Sequence, residues 1–298
     1  MTVRLLAVAA LTLVLVTACG SHTARLAPAV TPWTPIAATL SGPLRPASAN
    51  PCSRGTPGCV AAVVAEMERR YDRLASSCDH DAAFALMYLR VTQSVARAER
   101  QGETFADRAY LAHLDAVFAR LYFNAFDAWA GGRHNAVPPA WQVAFEVADM
   151  KRVNGVGDLL LGMNAHISRD LPFAVAAIGG LSGDRRRSFE QVNGVLERVS
   201  KPLLREESQR FDPTIAHFTL PVLKTNFGKL GTLLGSWRDA ALRDGQRLLA
   251  ATTPAQRAKV AQSIEQTALA RAAVIAAATS RVPFSHAGRA RDAYCRAH

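Results

Sequence analysis

The sequence lacks the short motifs that identify several enzyme classes. It contains no HExxH of the zinc peptidases, no Gly-x-Ser-x-Gly of the serine hydrolases, no P-loop and no CxxC pair. Gly155 and Gly157 follow no strand pattern, so a dinucleotide-binding turn is excluded as well. These absences remove several activities, but they assign none and leave open whether the protein is an enzyme.

The chain is also poor in aromatic residues and in the features of β-sheets. Aromatic residues make up 7% of it, and long alternations of Val, Ile and Thr are missing. Ala, Leu and Arg, which cost least in a helix, are abundant. With 298 residues, 49% of them hydrophobic, the chain can bury a large core. We therefore predict an all-α fold, a multi-helix bundle of about eight to ten helices.

Lysine is scarce, although the formal net charge is +11. The positive charge comes mainly from arginines, which are scattered along the chain except at 185–187. Surfaces that bind nucleic acid usually cluster their basic residues, so no nucleic-acid partner is expected. The scattered charges predict a solvated basic surface, and the alternative is attraction to an anionic lipid surface.

The N-terminus has the pattern of an export signal. An apolar run over 5–18 is too short to span a membrane but suits the core of a signal peptide. It ends in Val-Thr-Ala-Cys at Cys19, which resembles the lipobox of bacterial lipoproteins. We therefore expect a signal peptide over 1–18 and a diacylglycerol on Cys19. The protein is then exported, anchored to the cell membrane by lipid and facing outside the cytoplasm.

A proline-rich stretch follows the predicted lipidation site. Six prolines lie within 20–51, with small residues between them, and little of this stretch could bury an apolar face. The composition predicts a disordered linker over 19–55. A single helical domain is then expected over 56–298.

Four further cysteines, an even number, indicate two disulfides outside the cytoplasm: Cys52, Cys59, Cys78 and Cys295. If 57–77 is one helix, Cys59 and Cys78 lie about 28 Å apart, much more than the ~7 Å that a disulfide allows between Cα atoms. That pairing is disfavoured. The preferred pairs are Cys52–Cys59 and Cys78–Cys295.

Capping and breaking residues predict the helix limits. One helix is expected over 105–130, and another over 155–171, limited by Pro172. Thr253 precedes a proline and is a strong helix start. The stretch 213–250 contains a proline and several glycines, which predict a kink or a break.

His166 and Asp170 are the first candidate site residues. At 100° per residue they lie about 40° apart on a mainly apolar helix face. A buried carboxylate needs a partner, and three interpretations stay open. Asp170 orients or caps a structural His166, the two are ligands of Zn²⁺ or Fe²⁺, or His166 is a general base oriented by Asp170.

Asp115 is the second candidate, because it falls within the apolar face of the helix predicted over 105–130. Such a carboxylate requires a hydrogen bond, a cation or a metal, and a structural hub is the alternative to a ligand. The histidines at 80, 134, 286 and 298 look like loop or terminal residues, and no role is predicted for them.

The motif GMNAHISRDLP over 162–172 carries a resemblance to a family. With supporting segments, roughly residues 60–280 resemble an actinobacterial family of unknown function, domain of unknown function 5995. The resemblance implies a helical domain without an established activity, and it maps the family's Asn, His and Asp to Asn164, His166 and Asp170. Members often have Asp-His-Asp where this chain has Ser-Phe-Glu at 188–190, which weakens a metal role here.

Three functions follow as hypotheses. The leading one is a cell-envelope lipoprotein with a polar ligand-binding pocket around Asp115, Asn164, His166 and Asp170. The first alternative is a metal-dependent hydrolase with Zn or Fe held by Asp115, His166 and Asp170. The second is a structural or partner-binding envelope protein without a site.

Overall fold

The computed structural model describes residues 57–101, 105–181, 183–280 and 286–298. The predicted signal peptide, Cys19 and the linker lie outside the described residues, as does Cys52. The described chain is almost entirely helical, with one two-stranded sheet, so the predicted all-α class is confirmed.

The α-helices are α1 (Pro57–Ser76), α2 (Ala82–Arg100), α3 (Arg108–Ala130), α4 (Pro139–Asp149), α5 (Gly155–Asn164), α6 (Leu171–Ala177), α7 (Gly183–Arg210), α8 (Leu230–Ala250), α9 (Pro254–Thr279) and α10 (His286–Ala297). A π-helical turn, Ala165–Asp170, joins α5 to α6. Short 3-10 segments lie at His134–Ala136, Pro213–His217, Pro221–Leu223 and Phe227–Lys229.

One continuous helical stretch forms the centre of the fold. Every residue from 155 to 175, through α5, the π turn and the start of α6, is buried. Helices α2, α4, α8 and α9 pack around it, as expected for a helix that is buried on all sides. Among the described residues, no helix combines the length and apolar character needed to cross a membrane. Because every residue from 155 to 175 is buried, any polar side chain in this stretch must find its partners inside the protein.

The helix limits show where the sequence patterns were sufficient. Thr253 caps α9 in a complete capping box, as predicted. Helix α3 begins at Arg108, later than predicted, because the Asp107 side chain accepts the Tyr110 amide and caps the helix there. The limit at Pro172 was wrong. Proline lies in the first turn of α6 and needs no amide partner there, so the chain continues as a helix.

The predicted break in 213–250 is confirmed. Strand β1 (Thr219–Leu220) pairs antiparallel with β2 (Thr225–Asn226), in the register Thr219 to Asn226 and Leu220 to Thr225. Helix α8 then begins only at Leu230.

The predicted disulfide between Cys78 and Cys295 is confirmed, with Cα atoms 5.9 Å apart. It joins α10 to the loop before α2. Because Cys78 is bonded to Cys295, the disfavoured pairing of Cys59 with Cys78 is absent. Cys59 is itself disulfide-bonded. Its preferred partner, Cys52, lies outside the described residues.

Candidate functional site

His166 lies on the π-helical turn in the middle of the buried central stretch. The turn has one residue more than an α-helical turn, and such insertions occur frequently at functional sites. Just before the π turn, helix α5 packs closely against α2 at Gly162. A Cβ added to this glycine would lie 2.4 Å from Phe84. The glycine thereby lets α2 bring its aromatic side chains against the π turn.

Asp170 is fully buried and bound by groups from two elements. Its Oδ2 accepts a hydrogen bond from Trp141 Nε1 of α4 at 2.9 Å and faces His166 Nδ1 at 3.3 Å. Its Oδ1 accepts one from Arg169 Nη1 at 2.8 Å. Arg169 Nε donates in turn to Glu265 of α9 at 2.8 Å. These charge-assisted bonds fix Asp170 beside the imidazole.

The contact with Asp170 sets the tautomer of His166. Because a carboxylate only accepts hydrogen bonds, Nδ1 carries the proton and Nε2 has a free lone pair. Burial lowers the pKa of His166, although Asp170 opposes that shift, so the imidazole is neutral. Nε2 is buried and has no hydrogen-bond partner in the part of the chain that the structure describes. His166 is thus an oriented imidazole with an unused proton acceptor.

Aromatic rings surround this imidazole. Phe118 of α3 stacks on it with ring centroids 3.4 Å apart, and Tyr88 of α2 lies 4.2 Å away. Phe84, Tyr122 and Trp141 complete the enclosure at 5.6, 6.2 and 6.2 Å. The rings keep the site apolar, which makes an unsatisfied polar atom costly.

Tyr88 and Asp115 continue the polar site beyond the imidazole. The Tyr88 hydroxyl is buried without a partner. Burial, followed by the charges of Asp115 and Asp170, raises the pKa of Tyr88, so the phenol keeps its proton. Both carboxylates are thus close enough to Tyr88 to act on its pKa.

Asp115 is half-buried, but its Oδ2 is sealed off and without a partner. Burial raises the pKa of Asp115 to about 7, and the Thr92 hydroxyl opposes the rise. That hydroxyl lies close enough to influence Asp115, yet it makes no hydrogen bond of normal geometry and is itself unpartnered. Near neutral pH, Asp115 therefore exists in both its protonated and its ionised form.

Two adjacent cavities lie on the side of α3 that carries Asp115. An inner cavity of about 20 Å³, large enough for one water molecule, is lined by Thr92 and Asp115. An outer cleft of about 790 Å³ lies between α1, α2 and the start of α3. The residues that line both are Val60, Ala96, Glu99 and Arg108. The outer cleft and the inner cavity that contains Asp115 are therefore neighbours that share one wall.

The structure brings only some of the predicted site residues together. His166 and Asp170 are in contact, whereas Asp115 makes no hydrogen bond or ion pair with either of them among the described residues and is linked to the site only by its effect on the pKa of Tyr88. Asn164 points elsewhere, since its Nδ2 donates to the Ala268 carbonyl of α9 at 2.8 Å. Within the described ranges, no three His, Cys, Asp or Glu side chains are grouped so as to hold a metal ion. The predicted ligands of Zn or Fe thus form no such group.

Sequence reasoning missed several members of the site. Tyr88, Trp141, Arg169 and Glu265 contribute contacts, although no motif marks them. Arg169 had a usable signal, because a charged residue in a mainly apolar stretch must be paired when it is buried. Glu265 had none, since its position on α9 gives no hint of a partner 96 residues earlier.

A second buried histidine was also missed. His80, predicted to be a loop residue without a role, is 5% exposed. Its Nδ1 lies 2.7 Å from Asp158 of α5, and its Nε2 lies 3.3 Å from Asp292 of α10. Asp292 also accepts a bond from Lys151. His80 therefore ties the start of α2 to two other helices.

Comparison with known proteins gives one match. A model of a family of unknown function, DUF5995, matches residues 60–278. The chain belongs to this family. The DUF5995 region runs from α1 to α9 and includes the His166 site, whereas α10, with Asp292 and Cys295, lies beyond it. No curated protein and no solved structure shows a significant match to the chain.

Proposed function

We propose that this member of DUF5995 is a lipid-anchored protein of the cell envelope that binds a small polar molecule beside His166. The observation that supports the ligand is a set of three buried polar atoms without partners among the described residues, called the row below: His166 Nε2, Tyr88 OH and Asp115 Oδ2. Each lies on a different element; the Tyr88 ring contacts the His166 ring, and Asp115 is close enough to Tyr88 to act on its pKa.

Unsatisfied polar atoms are expensive in such a place. A buried donor or acceptor that lacks its hydrogen bond costs about 1–3 kcal/mol, and native proteins keep few of them. Here they occur beside an imidazole that Asp170, Trp141 and Arg169 hold in one orientation. A polar molecule that reached this row would supply the missing bonds and recover that cost.

The chemistry of the row specifies the ligand. His166 Nε2 accepts a hydrogen bond, and the Tyr88 hydroxyl can donate or accept one. Asp115, with a pKa of about 7, donates when protonated and accepts when ionised. The site therefore suits a hydroxyl or amine that donates to the imidazole. Binding of such a ligand requires only these hydrogen bonds. If His166 acted as a general base, it would use the same Nε2 lone pair.

Reaction with diethyl pyrocarbonate tests access to the row. This reagent acylates unprotonated imidazole nitrogens, and peptide mass spectrometry then locates each adduct. In the native full chain we expect His166 to react more slowly than exposed His217 but clearly faster than His80. His80 is the matched control, because it is equally buried and both its ring nitrogens have partners.

The result that contradicts the proposal is a His166 as unreactive as His80, since no ligand could then reach Nε2 from solvent. Unfolded protein, in which all histidines react, shows that each peptide is detected.

Native mass spectrometry of the full chain provides the second measurement. We expect a small-molecule adduct on the wild type that is lost in His166→Phe, which fills the aromatic enclosure without a lone pair. Stoichiometric zinc or iron lost in the same variant would favour the metal-dependent hydrolase instead. An unreactive His166 without any adduct would favour the structural protein.

The location is a separate part of the proposal. It is supported by the Val-Thr-Ala-Cys pattern that ends at Cys19 after an apolar run. Two acyl chains on this sulfur suffice for stable anchoring. Cys19→Ser is expected to move the protein from the membrane fraction to the soluble fraction, or to leave it unprocessed. Unchanged membrane retention of fully processed Cys19→Ser would contradict the anchor.

A further inference from the structure

The outer cleft carries more positive charge than its own contacts neutralise. Four arginines line it: Arg90, Arg97, Arg100 and Arg108. Only two carboxylates, Glu68 and Glu99, line it with them. Its volume of about 790 Å³ falls within the usual range for small-molecule sites.

Two of the four arginines already have partners. Arg90 donates to both carboxylate oxygens of Glu206, at 2.7 and 2.9 Å. Arg108 lies 3.8 Å from Glu99. Neither guanidinium is fully available to a ligand, and both positions are fixed.

Arg97 and Arg100 are different. Their side chains are exposed and, among the described residues, make no hydrogen bond or ion pair. They lie three positions apart on α2, so they share one face of the helix. Arg97 also lines a neighbouring cavity of about 260 Å³ toward α7. Two free guanidinium groups one turn apart suit a doubly charged oxyanion better than a single carboxylate.

The inner end of the cleft adds an independent observation. Thr92 is 3% exposed, and its hydroxyl, without a partner, lines the inner cavity next to Asp115. The inner cavity also has apolar walls formed by Val95, Ala96 and Leu111, and Glu99 and Arg108 line it together with the outer cleft. The two cavities thus combine exposed arginines in the outer cleft with apolar walls and a buried hydroxyl in the inner one.

We propose that the cleft between α1 and α2 binds a phosphate-bearing small molecule, with the phosphate against Arg97 and Arg100 and a polar end directed at Asp115. This inference rests on the proposed function, because it names the ligand class of the same site. The phosphate belongs to a free phosphate compound or to the headgroup of a single lipid molecule.

Calorimetric titration of the full chain in a nonionic detergent tests the inference. The probes are inorganic phosphate and the short-chain lipid dihexanoyl phosphatidylglycerol. The test variant is Arg97→Gln/Arg100→Gln. The matched control is Arg73→Gln/Arg243→Gln, which removes the same charge from two exposed arginines outside the cleft.

We expect saturable 1:1 binding of at least one probe. Binding should weaken about tenfold or more in the cleft variant, because charged hydrogen bonds are lost, and less than about twofold in the control. Tighter binding of inorganic phosphate identifies a free compound, and tighter binding of the lipid identifies a headgroup. Failure of both probes to saturate, or equal weakening in both double variants, would overturn the inference.

The diethyl pyrocarbonate reaction separates this result from the proposed function. A reactive His166 in a protein that binds neither probe overturns the phosphate assignment alone. Phosphate binding by a protein whose His166 is unreactive overturns the interior site and leaves an anion site at the surface.

Discussion

His80 and His166 are two buried histidines beside carboxylates, but their environments differ in one decisive respect. Both ring nitrogens of His80 have partners, Asp158 and Asp292, on helices far apart in the sequence. His166 has one partner on its own turn, Asp170, and a second nitrogen that is sealed in without any. A fully satisfied buried histidine holds helices together. A buried histidine with only one partner, oriented by a carboxylate, has a ring nitrogen that can still accept a hydrogen bond from a ligand.

The sharpest test of this comparison is the same substitution at both positions. His80→Phe leaves Asp158 buried without its partner, and breaking such a pair costs about 3–5 kcal/mol. His166→Phe places an apolar ring among aromatic rings, while Asp170 keeps Trp141 and Arg169, so we expect a loss below about 1 kcal/mol. Urea denaturation measures both. Equal losses would remove the distinction between the two histidines.

The disulfide between Cys78 and Cys295 stabilises the region around His80, because it links α10 to the loop that carries this histidine. Cys78→Ala/Cys295→Ala removes the covalent link next to His80 and Asp292, and it should lower the free energy of unfolding by about 2–4 kcal/mol. Diethyl pyrocarbonate should then reach His80, while the reactivity of His166 stays the same. If both histidines become more reactive, α10 supports the whole core and the two regions are not independent.

Gly162 tests the packing that brings α2 to His166. Gly162→Ala places a Cβ 2.4 Å from Phe84, and overpacking of this kind costs about 1–3 kcal/mol. Gly235→Ala on α8 is the matched control, because nothing lies within 4 Å of its new Cβ. The control should be neutral or stabilised by up to about 1 kcal/mol. A neutral Gly162→Ala would show that the helices separate easily there.

The smallest expected effect is a pH dependence caused by Asp115. Its folded-state pKa of about 7 lies above the ordinary value of 3.8, so the folded protein binds the extra proton between these limits. Its contribution to stability is complete below about pH 4 and is lost as the pH rises through about 7. Asp115→Asn cannot titrate. Relative to this variant, the wild type should lose about 1 kcal/mol between pH 5 and pH 8, after allowance for its partial exposure.

Urea denaturation at both pH values checks the sign. A wild type that gains stability relative to Asp115→Asn as the pH rises would mean that Asp115 is paired with a cation in the folded state. Asp115 would then not belong to the unsatisfied row.

The sequence patterns predicted most of the fold, because composition and caps act locally. The all-α class and the Thr253 cap follow from such patterns. Helix length and the limit on Cα separation disfavoured only the Cys59–Cys78 pairing, so the 78–295 disulfide was a preference between the two pairings that remained. Pro172 misled, since proline stops a helix only where an amide is needed, and the first turn of α6 needs none. A π turn leaves no comparable mark in residue spacing.

The candidate site was predictable only in part for the same reason. His166 and Asp170 are four residues apart, so helical periodicity places them together. Tyr88 and Glu265 come from other helices, and their contacts depend on tertiary packing that a single sequence does not encode locally. Asn164 shows the converse, because two residues of separation on a helix turn its side chain toward α9 instead.

The disulfide between Cys78 and Cys295 closes most of the described chain into a single covalent ring, since the two cysteines are separated by 217 positions in the sequence. A protease that cuts an exposed loop inside the ring, such as 131–136, leaves the two fragments linked. Such a nicked protein would run as one species on a non-reducing gel and separate only after reduction. At the exported location proposed above, an oxidising environment would preserve the disulfide, so damage of this kind would not release either half of the core.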